Sequence, residues 1–338
     1  MVKQKEIAAR AGVSISTVSR VFTKKANVHP ATLRKIQTAM YDLGAEMPDG
    51  LTQGKNLYKN YVMIIAGDIS NGFYSQIIKG CCNSLVKSGM YAVVCNSDYN
   101  IEYEKHCISY ADREKFSGII LITAVEAPGL VELLRHTQIP VVLSNRYIRS
   151  LDMNMVCIDN YNGGYIATDY LINRGHRAIA FLGGFKNSTA TQDRFKGYTD
   201  ALRDAGLESS PEWIVFSDQT INNGRKFASE AIQRGVNFTA LFSTNCPLAV
   251  GAVNRFAESG FKVSENLSVI CFDDSPSIGE DGLNLTAVSC EPNLIGQETV
   301  ASLLRMLGGE FTSKTTLLLS PHLIERASVR RVDDCLLS

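Results

Sequence analysis

From residue 61 onward, short and nearly uninterrupted apolar runs alternate with longer stretches in which apolar residues return every three or four positions. The runs are "YVMIIAG" (61–67), "YAVVCNS" (91–97), "GIILIT" (118–123), "PVVLSN" (140–145), "MVCIDN" (155–160), "AIAFLGG" (178–184), "ALFST" (240–244), "LSVICFDD" (267–274) and "LTAVSC" (285–290). Runs this short and this continuous predict strands buried on both faces. The helical pattern falls between them, for example at 73–88, 163–174, 193–206, 224–234, 247–260 and 292–308. Strands alternating with helices build parallel sheets covered on both sides. Nine such strands are many for one open sheet. The pattern therefore predicts an α/β body of two doubly wound parallel-sheet subdomains. A ligand would bind between them, at the C-terminal ends of the strands.

The N-terminal segment is patterned differently. Residues 4–10 read as a short helix with Ile7 and Ala8 inward. Gly12 suits a tight turn and Ser14 an N-cap, after which Val18, Val21 and Phe22 share one helix face. A third helix opens at Pro30 and closes at Gly44, with Leu33, Ile36, Met40 and Leu43 on its apolar side. Two short helices joined by a Gly-containing turn form a helix-turn-helix, whose second helix enters the DNA major groove. Ile15, Ser16 and Arg20 then face outward. Arg bonds guanine bidentately, Ser bonds several base edges, and Ile offers apolar contact, for example to a thymine methyl. Thr17, Ser19, Lys3, Lys24 and Lys25 are better placed for phosphate. A three-helix protein-interaction domain with solvated charges would show the same pattern.

Charge sharpens this. The 338-residue chain is neutral overall, but residues 1–57 carry nine Lys/Arg against four Asp/Glu, and the remainder carries 25 against 30. A basic head on an acidic body suits a polyanionic partner for the head. Hydrophobic content of 45% with 20% charged residues suits a soluble globular protein. No run is long enough to span a membrane, and the N-terminus lacks the apolar core of a signal peptide, so a cytoplasmic protein with no membrane partner is expected. Nine scattered cysteines without a C-x-x-C suggest neither a metal site nor a redox pair. The body holds no phosphate-loop, dinucleotide, nucleophile-elbow or zinc-protease motif, so neither cofactor nor catalysis is expected. His176, in "NRGHRAIAF", sits in a helix-to-strand turn and reads as structural.

The segment "IAARAGVSISTVSRVF" resembles the DNA-binding head of the LacI/GalR family of bacterial repressors, and Ala8 to Phe22 match its pattern nearly residue by residue. The resemblance implies that Ile15, Ser16 and Arg20 occupy the family's base-reading positions. It departs at His29, where the family has Ser or another capping side chain. It extends through the body in "GDISNGFYSQIIKG", "VCIDNYNGGYIATDYLINRGHRAIAFLGG", "DRFKGYTDAL", "FSTNCPLAVGA" and "LSVICFDD". The implied fold is that of type I periplasmic sugar-binding proteins, with three crossings between subdomains and the last strands and helix returning to the N-terminal one. The expected boundaries are 1–47 for the head, 48–60 for a hinge, 61–326 for the body and 327–338 for a tail. Within the body, about 61–160 and 291–322 form one subdomain and about 161–290 the other.

The same resemblance implies an effector cleft. Phe73 and Tyr74 form a wall, and Asn145 stands where the family has Asp, next to Arg146. Arg194 matches an Arg that bonds ligand oxygens, and Asp273 matches the first acid of the family's G-F-D-D, with Cys271 in the glycine's place. Asn245 matches the Asn of N-D, whose Asp is here Cys246. Gln219 replaces an aromatic side chain, and Ser70 and Asn71 are further candidates. Mixed donors and acceptors with a few aromatics suit a sugar, and two guanidiniums also admit a sugar acid or a sugar phosphate. The reading is a ligand-controlled transcription regulator, a repressor, acting as a homodimer on a nearly palindromic operator. A dimer is expected because no leucine-heptad tail follows "LIERASVRRVDDCLLS". The alternative is a solute-binding protein of a sugar uptake system.

The stretch "LGAEMPDGLTQGKN" departs most. In the family its second half is a hinge helix whose leucine wedges into the minor groove. Here an extra residue precedes Pro48 and the N-x-x-A-R stretch shrinks to Asp49–Gly50. Gly50 and Gly54 each cost a helix about 1 kcal/mol. At most one helical turn is expected there, with Leu51 keeping the place of the wedging residue.

Overall fold

A computed structural model describes residues 2–23, 28–43, 45, 58–309 and 314–332. The chain divides into two compact units, Met1–Lys59 and Asn60–Ser338. Lys24, Leu51 and most of the expected hinge lie outside the described residues.

The first unit contains α1 (Gln4–Ala11), α2 (Ile15–Thr23) and α3 (Pro30–Asp42). The turn between α1 and α2 is built as its residue types require. Gly12 adopts a left-handed φ of +63°, and the Ser14 hydroxyl accepts the Thr17 amide at 3.1 Å. His29 fills the capping place ahead of α3 in its own way: Nδ1 accepts the Ala31 amide at 3.3 Å. Ile7, Ala8, Val18, Val21, Ile36 and Met40 form the core of the unit, and Arg10 pairs with Asp42 across α1 and α3 at 2.7 Å.

The second unit holds two six-stranded sheets. The first contains β1 (Tyr61–Ala66), β2 (Tyr91–Asn96), β3 (Gly118–Leu121), β4 (Val141–Ser144), β5 (Asn154–Ile158) and β11 (Thr316–Leu319), in the order β11-β5-β4-β3-β1-β2. The second contains β6 (Ile179–Gly183), β7 (Ile214–Phe216), β8 (Ala240–Ser243), β9 (Ser268–Phe272), β10 (Thr286–Ser289) and β12 (His322–Ile324), in the order β12-β10-β9-β8-β6-β7. Both sheets therefore use one doubly wound order. All pairings are parallel except β10 with β12. Strands such as β1, β3, β4 and β6 are buried almost throughout, which explains their unbroken apolar runs.

The chain passes between the sheets three times, after β5, after β10 and after β11. Helix α11 (Pro292–Leu307) and β11 return to the first sheet, as the family resemblance implies. One expectation is corrected: the last strand, β12, does not return but closes the far edge of the second sheet. With three crossings, a body that begins in the first sheet has its last described strand in the second.

Helices α4 (Gly72–Lys87), α5 (Ile101–Arg113), α6 (Pro128–His136), α7 (Asn160–Asn173), α8 (Thr189–Asp204), α9 (Ile221–Gln233) and α10 (Cys246–Glu258) cover the sheets. Several begin earlier than the apolar pattern alone indicates, because a polar cap adds a turn. Asp159 accepts the Asn162 amide at 3.0 Å and so starts α7 at Asn160. Helices α7 and α8 cross through glycines. A Cβ on Gly164 would run into the Arg194 carbonyl, and one on Gly197 into the Tyr161 carbonyl. This close approach sets the depth of α8, which carries Arg194.

Candidate functional site

In the head, α2 presents Ile15, Ser16 and Arg20 to solvent, with Ile15 49% exposed, while Val18 and Val21 are buried. Thr17 and Ser19 are half-buried at the edge of that face, and Lys3 is exposed at the start of α1. The hydroxyls of Ser16 and Thr17 bond Ser14 Oγ at 2.8 and 2.7 Å. Glu6 fixes the start of α1 by accepting the Lys3 amide at 3.0 Å. Between Ile15 and Arg20 the exposed side chains of α2 are one guanidinium, one hydroxyl and one aliphatic tip.

In the body, several candidate residues stand just past the C-terminal ends of strands, while Phe73 and Tyr74 open α4 and Arg194 lies in α8. Asn145 follows β4 and Asp273 follows β9, and both adopt a left-handed backbone, with φ of +63° and +67°. Asn and Asp tolerate this region better than other non-glycine residues. Each amide is held by the neighbouring strand: Asn145 donates to Val156 O at 2.8 Å, and Asp273 to Val288 O at 2.9 Å. The two sheets thus present one residue each in the same backbone setting.

Arg146, 1% exposed, donates through Nη2 to the Tyr74 hydroxyl at 2.9 Å. Tyr74 in turn donates to Gln219 Oε1 at 3.3 Å. The guanidinium carbon lies 5.7–5.9 Å from the ring centroids of Tyr74, Tyr99 and Phe185. Among the described residues no carboxylate stands at ion-pair distance from Arg146, and its Nη1 has no hydrogen-bond partner. Arg194 is held differently. Nε donates to Asn160 Oδ1 at 2.8 Å, Nη1 to the Thr244 carbonyl, and the guanidinium stacks 3.5 Å from the Phe272 centroid. Its Nη2 lies 3.5 Å from Asp273 Oδ1, an ion contact outside hydrogen-bond geometry. Burial raises the Asp273 pKa, against the attraction of Arg194 and Arg146. Burial lowers that of Arg194, against the pull of Asp273.

Asn245 caps α10 through Oδ1, which accepts the Leu248 amide at 3.1 Å, and its Nδ2 has no hydrogen-bond partner among the described residues. Asn71 caps α4 by accepting the Phe73 amide at 3.0 Å, and Ser70 bonds Asp68. A cavity of about 560 Å³ lies beside these groups, lined by residues that include Ser70, Asn71, Phe73, Gln219, Cys246 and Ser275. Arg146, Arg194 and Asp273 do not line it; Gln219 links it, through Tyr74, to Arg146.

Asn160, Tyr99, Phe185 and Glu104 are additions to the sequence-derived set. Asn160 is the Asn of "IDN", and nothing in that motif marks it as the partner of Arg194. Glu104 is buried, accepts the Ser97 hydroxyl at 2.9 Å, and its carboxyl pKa is raised by that burial. The alternating charges of α5 gave no sign that one of them turns inward.

Comparison with known proteins decides what this pairing of units is. Residues 4–44 match the family of bacterial regulatory proteins of the lacI type, and residues 168–329 match the periplasmic binding protein-like domain. The HTH-type transcriptional regulator DegA of Bacillus subtilis is 30% identical over 329 residues, covering 96% of each chain. The chain belongs to the LacI family. The HTH-type transcriptional repressor CytR of Escherichia coli is 28% identical over 330 residues, again with 96% of each chain. Among solved structures, a transcriptional regulator CelR–cellobiose complex is 28% identical with a TM-score of 0.74, covering 97% of this chain and all of that one. This LacI-family protein is therefore a DNA-binding transcriptional regulator of the repressor type, and the uptake-protein alternative falls. No helix among the described residues is long and apolar enough to cross a membrane.

Proposed function

We propose that this regulator binds its operator through Ile15, Ser16 and Arg20 as base readers, with Thr17, Ser19, Lys3 and Lys24 on phosphate and Leu51 in the minor groove. It works in the cytoplasm as a homodimer on a nearly palindromic operator, without catalysis or cofactor. A small molecule in the cleft of the body controls operator affinity. The observation that carries the effector site is a set of buried polar atoms without hydrogen-bond partners among the described residues: Asn145 Oδ1, Arg146 Nη1, Asn245 Nδ2 and Asp273 Oδ1, the last in ion contact with Arg194. Leaving such groups unsatisfied costs about 1–3 kcal/mol each. A ligand with several hydroxyls supplies both the acceptors and the donors that they lack. Phe73 and Tyr74 are assigned to its wall, and Ser70, Asn71, Arg194 and Gln219 to its further contacts; of these, Ser70, Asn71, Phe73 and Gln219 line the cavity.

Among sugars, the setting of Arg146 favours an acid or a phosphate ester. Asp273 and Glu104 act on the buried Arg146 guanidinium only from beyond ion-pair distance, and an oxyanion on the ligand would satisfy it directly and bidentately. The family's Asp beside it is Asn145 here, which removes the local competitor for that charge. The test is calorimetry of the full chain with glucose, galactose, cellobiose, gluconate, galacturonate and glucose 6-phosphate. The expected result is binding of an anionic member, reduced at least tenfold by Asn145→Asp. Binding of neutral sugars alone overturns the anion preference; binding of none of the six overturns the sugar reading.

A further inference from the structure

Two of the chain's departures from the family pattern touch each other. Cys246 is the first residue of α10, Cys271 lies in β9, and their Sγ atoms are 3.8 Å apart. Cys271 is fully buried, whereas Cys246 forms part of the cavity wall. Cys246 Sγ donates to the Asp273 carbonyl at 3.0 Å, and Cys271 Sγ to the Phe272 carbonyl at 3.1 Å. The Asp and Gly of the family pattern at these two positions carry no thiol chemistry. Cys95 and Cys107 are also neighbours, but neither lines the cavity.

We infer that Cys246 and Cys271 form an oxidant-sensitive dithiol, in which hydrogen peroxide entering the cavity converts the pair to a disulfide. Access fixes the order of events. The Cys246 sulfur meets peroxide first, breaks its O–O bond, becomes a sulfenic acid and releases one water. The Cys271 sulfur then attacks the Cys246 sulfur, the S–S bond forms, the S–O bond breaks and a second water leaves. Two thiols lose two electrons, and peroxide takes them up. The sulfurs must close to about 2.05 Å. Oxidation removes the thiol proton that Cys246 donates to Asp273, so the state of the pair is transmitted to the residue that faces Arg194 in the cleft. The chemistry itself does not depend on which effector binds there.

The test is peptide mapping of the full chain after stoichiometric hydrogen peroxide, blocking of free thiols with N-ethylmaleimide and digestion without reductant. The expected result is a linked pair of peptides containing Cys246 and Cys271, which dithiothreitol separates. A Cys271→Ser variant should stop at the sulfenic acid, trapped by dimedone on Cys246. Finding both cysteines labelled by N-ethylmaleimide while other thiols are oxidised overturns the inference, as does a linkage confined to Cys95 and Cys107. If Cys271→Ser fails to fold, the wild-type map alone decides.

Discussion

Arg146 and Arg194 are both buried, yet they are held by opposite means. Arg194 has an amide, a carbonyl, an aromatic face and a carboxylate around it. Arg146 has one hydroxyl and three rings. The residue types were legible from the family blocks, but this difference was not, since it depends on which side chains arrive from other strands. The left-handed backbone at Asn145 and Asp273 was equally invisible, because Asn and Asp tolerate that region without requiring it. His176, by contrast, sits in the helix-to-strand turn that the sequence indicates. It is fully buried, its Nδ1 lies 2.8 Å from Thr239 Oγ1, and it serves the packing between α7 and β6. Burial pushes its pKa down to about 4 from 6.5; the positive charge of Arg330 adds to this, and contact with the Arg330 backbone opposes it. A depressed pKa means that the neutral form belongs to the fold. Its contribution is present above pH 6.5 and is lost as pH falls towards about 4. The loss is on the order of 2–3 kcal/mol. Urea unfolding at pH 7 and pH 4.5 should therefore show wild type losing more stability on acidification than His176→Gln. Parallel losses in the two proteins would mean that the residue does not titrate with folding.

At the scale of elements, period and run length located nine strands, and the structure holds three more among the described residues. The additional ones, β7, β11 and β12, have three, four and three residues and are only partly buried. An edge strand of that length, covered on one side, has no room for the continuous apolar run that marks a central strand. The glycine contacts between α7 and α8 were also hidden, since a glycine inside a helix reads from sequence only as a loss of about 1 kcal/mol. The structure gives it a reason. Gly197→Ala should gain helix propensity and still lose stability, by about 1–3 kcal/mol, because the new methyl meets the backbone of Tyr161 and Tyr165. Displacement of α8 should weaken effector binding in the same variant, through Arg194. A denaturation midpoint at or above that of wild type would show that the crossing has slack.

For the whole molecule, the sequence carried most of the architecture because each level agreed with the next. Continuous apolar strands implied covered parallel sheets, their number implied two sheets, and the basic head implied a second unit with a different partner. The finer topology was less accessible: the third crossing, which sends β12 to the second sheet, rests on a three-residue antiparallel pair. The shortened segment between the two units, with Leu51, lies outside the described residues. In the proposed function, occupancy of the cleft alters the hold of the head on DNA. The most direct measurement starts from an operator selected from random duplexes with the full chain. Fluorescence anisotropy at fixed salt then gives operator affinity with and without a saturating cleft ligand. The expected change is about 5- to 150-fold, the range typical of coupled sites, confined to the selected operator. An operator affinity unchanged at saturating ligand, or binding that ignores sequence, would contradict it.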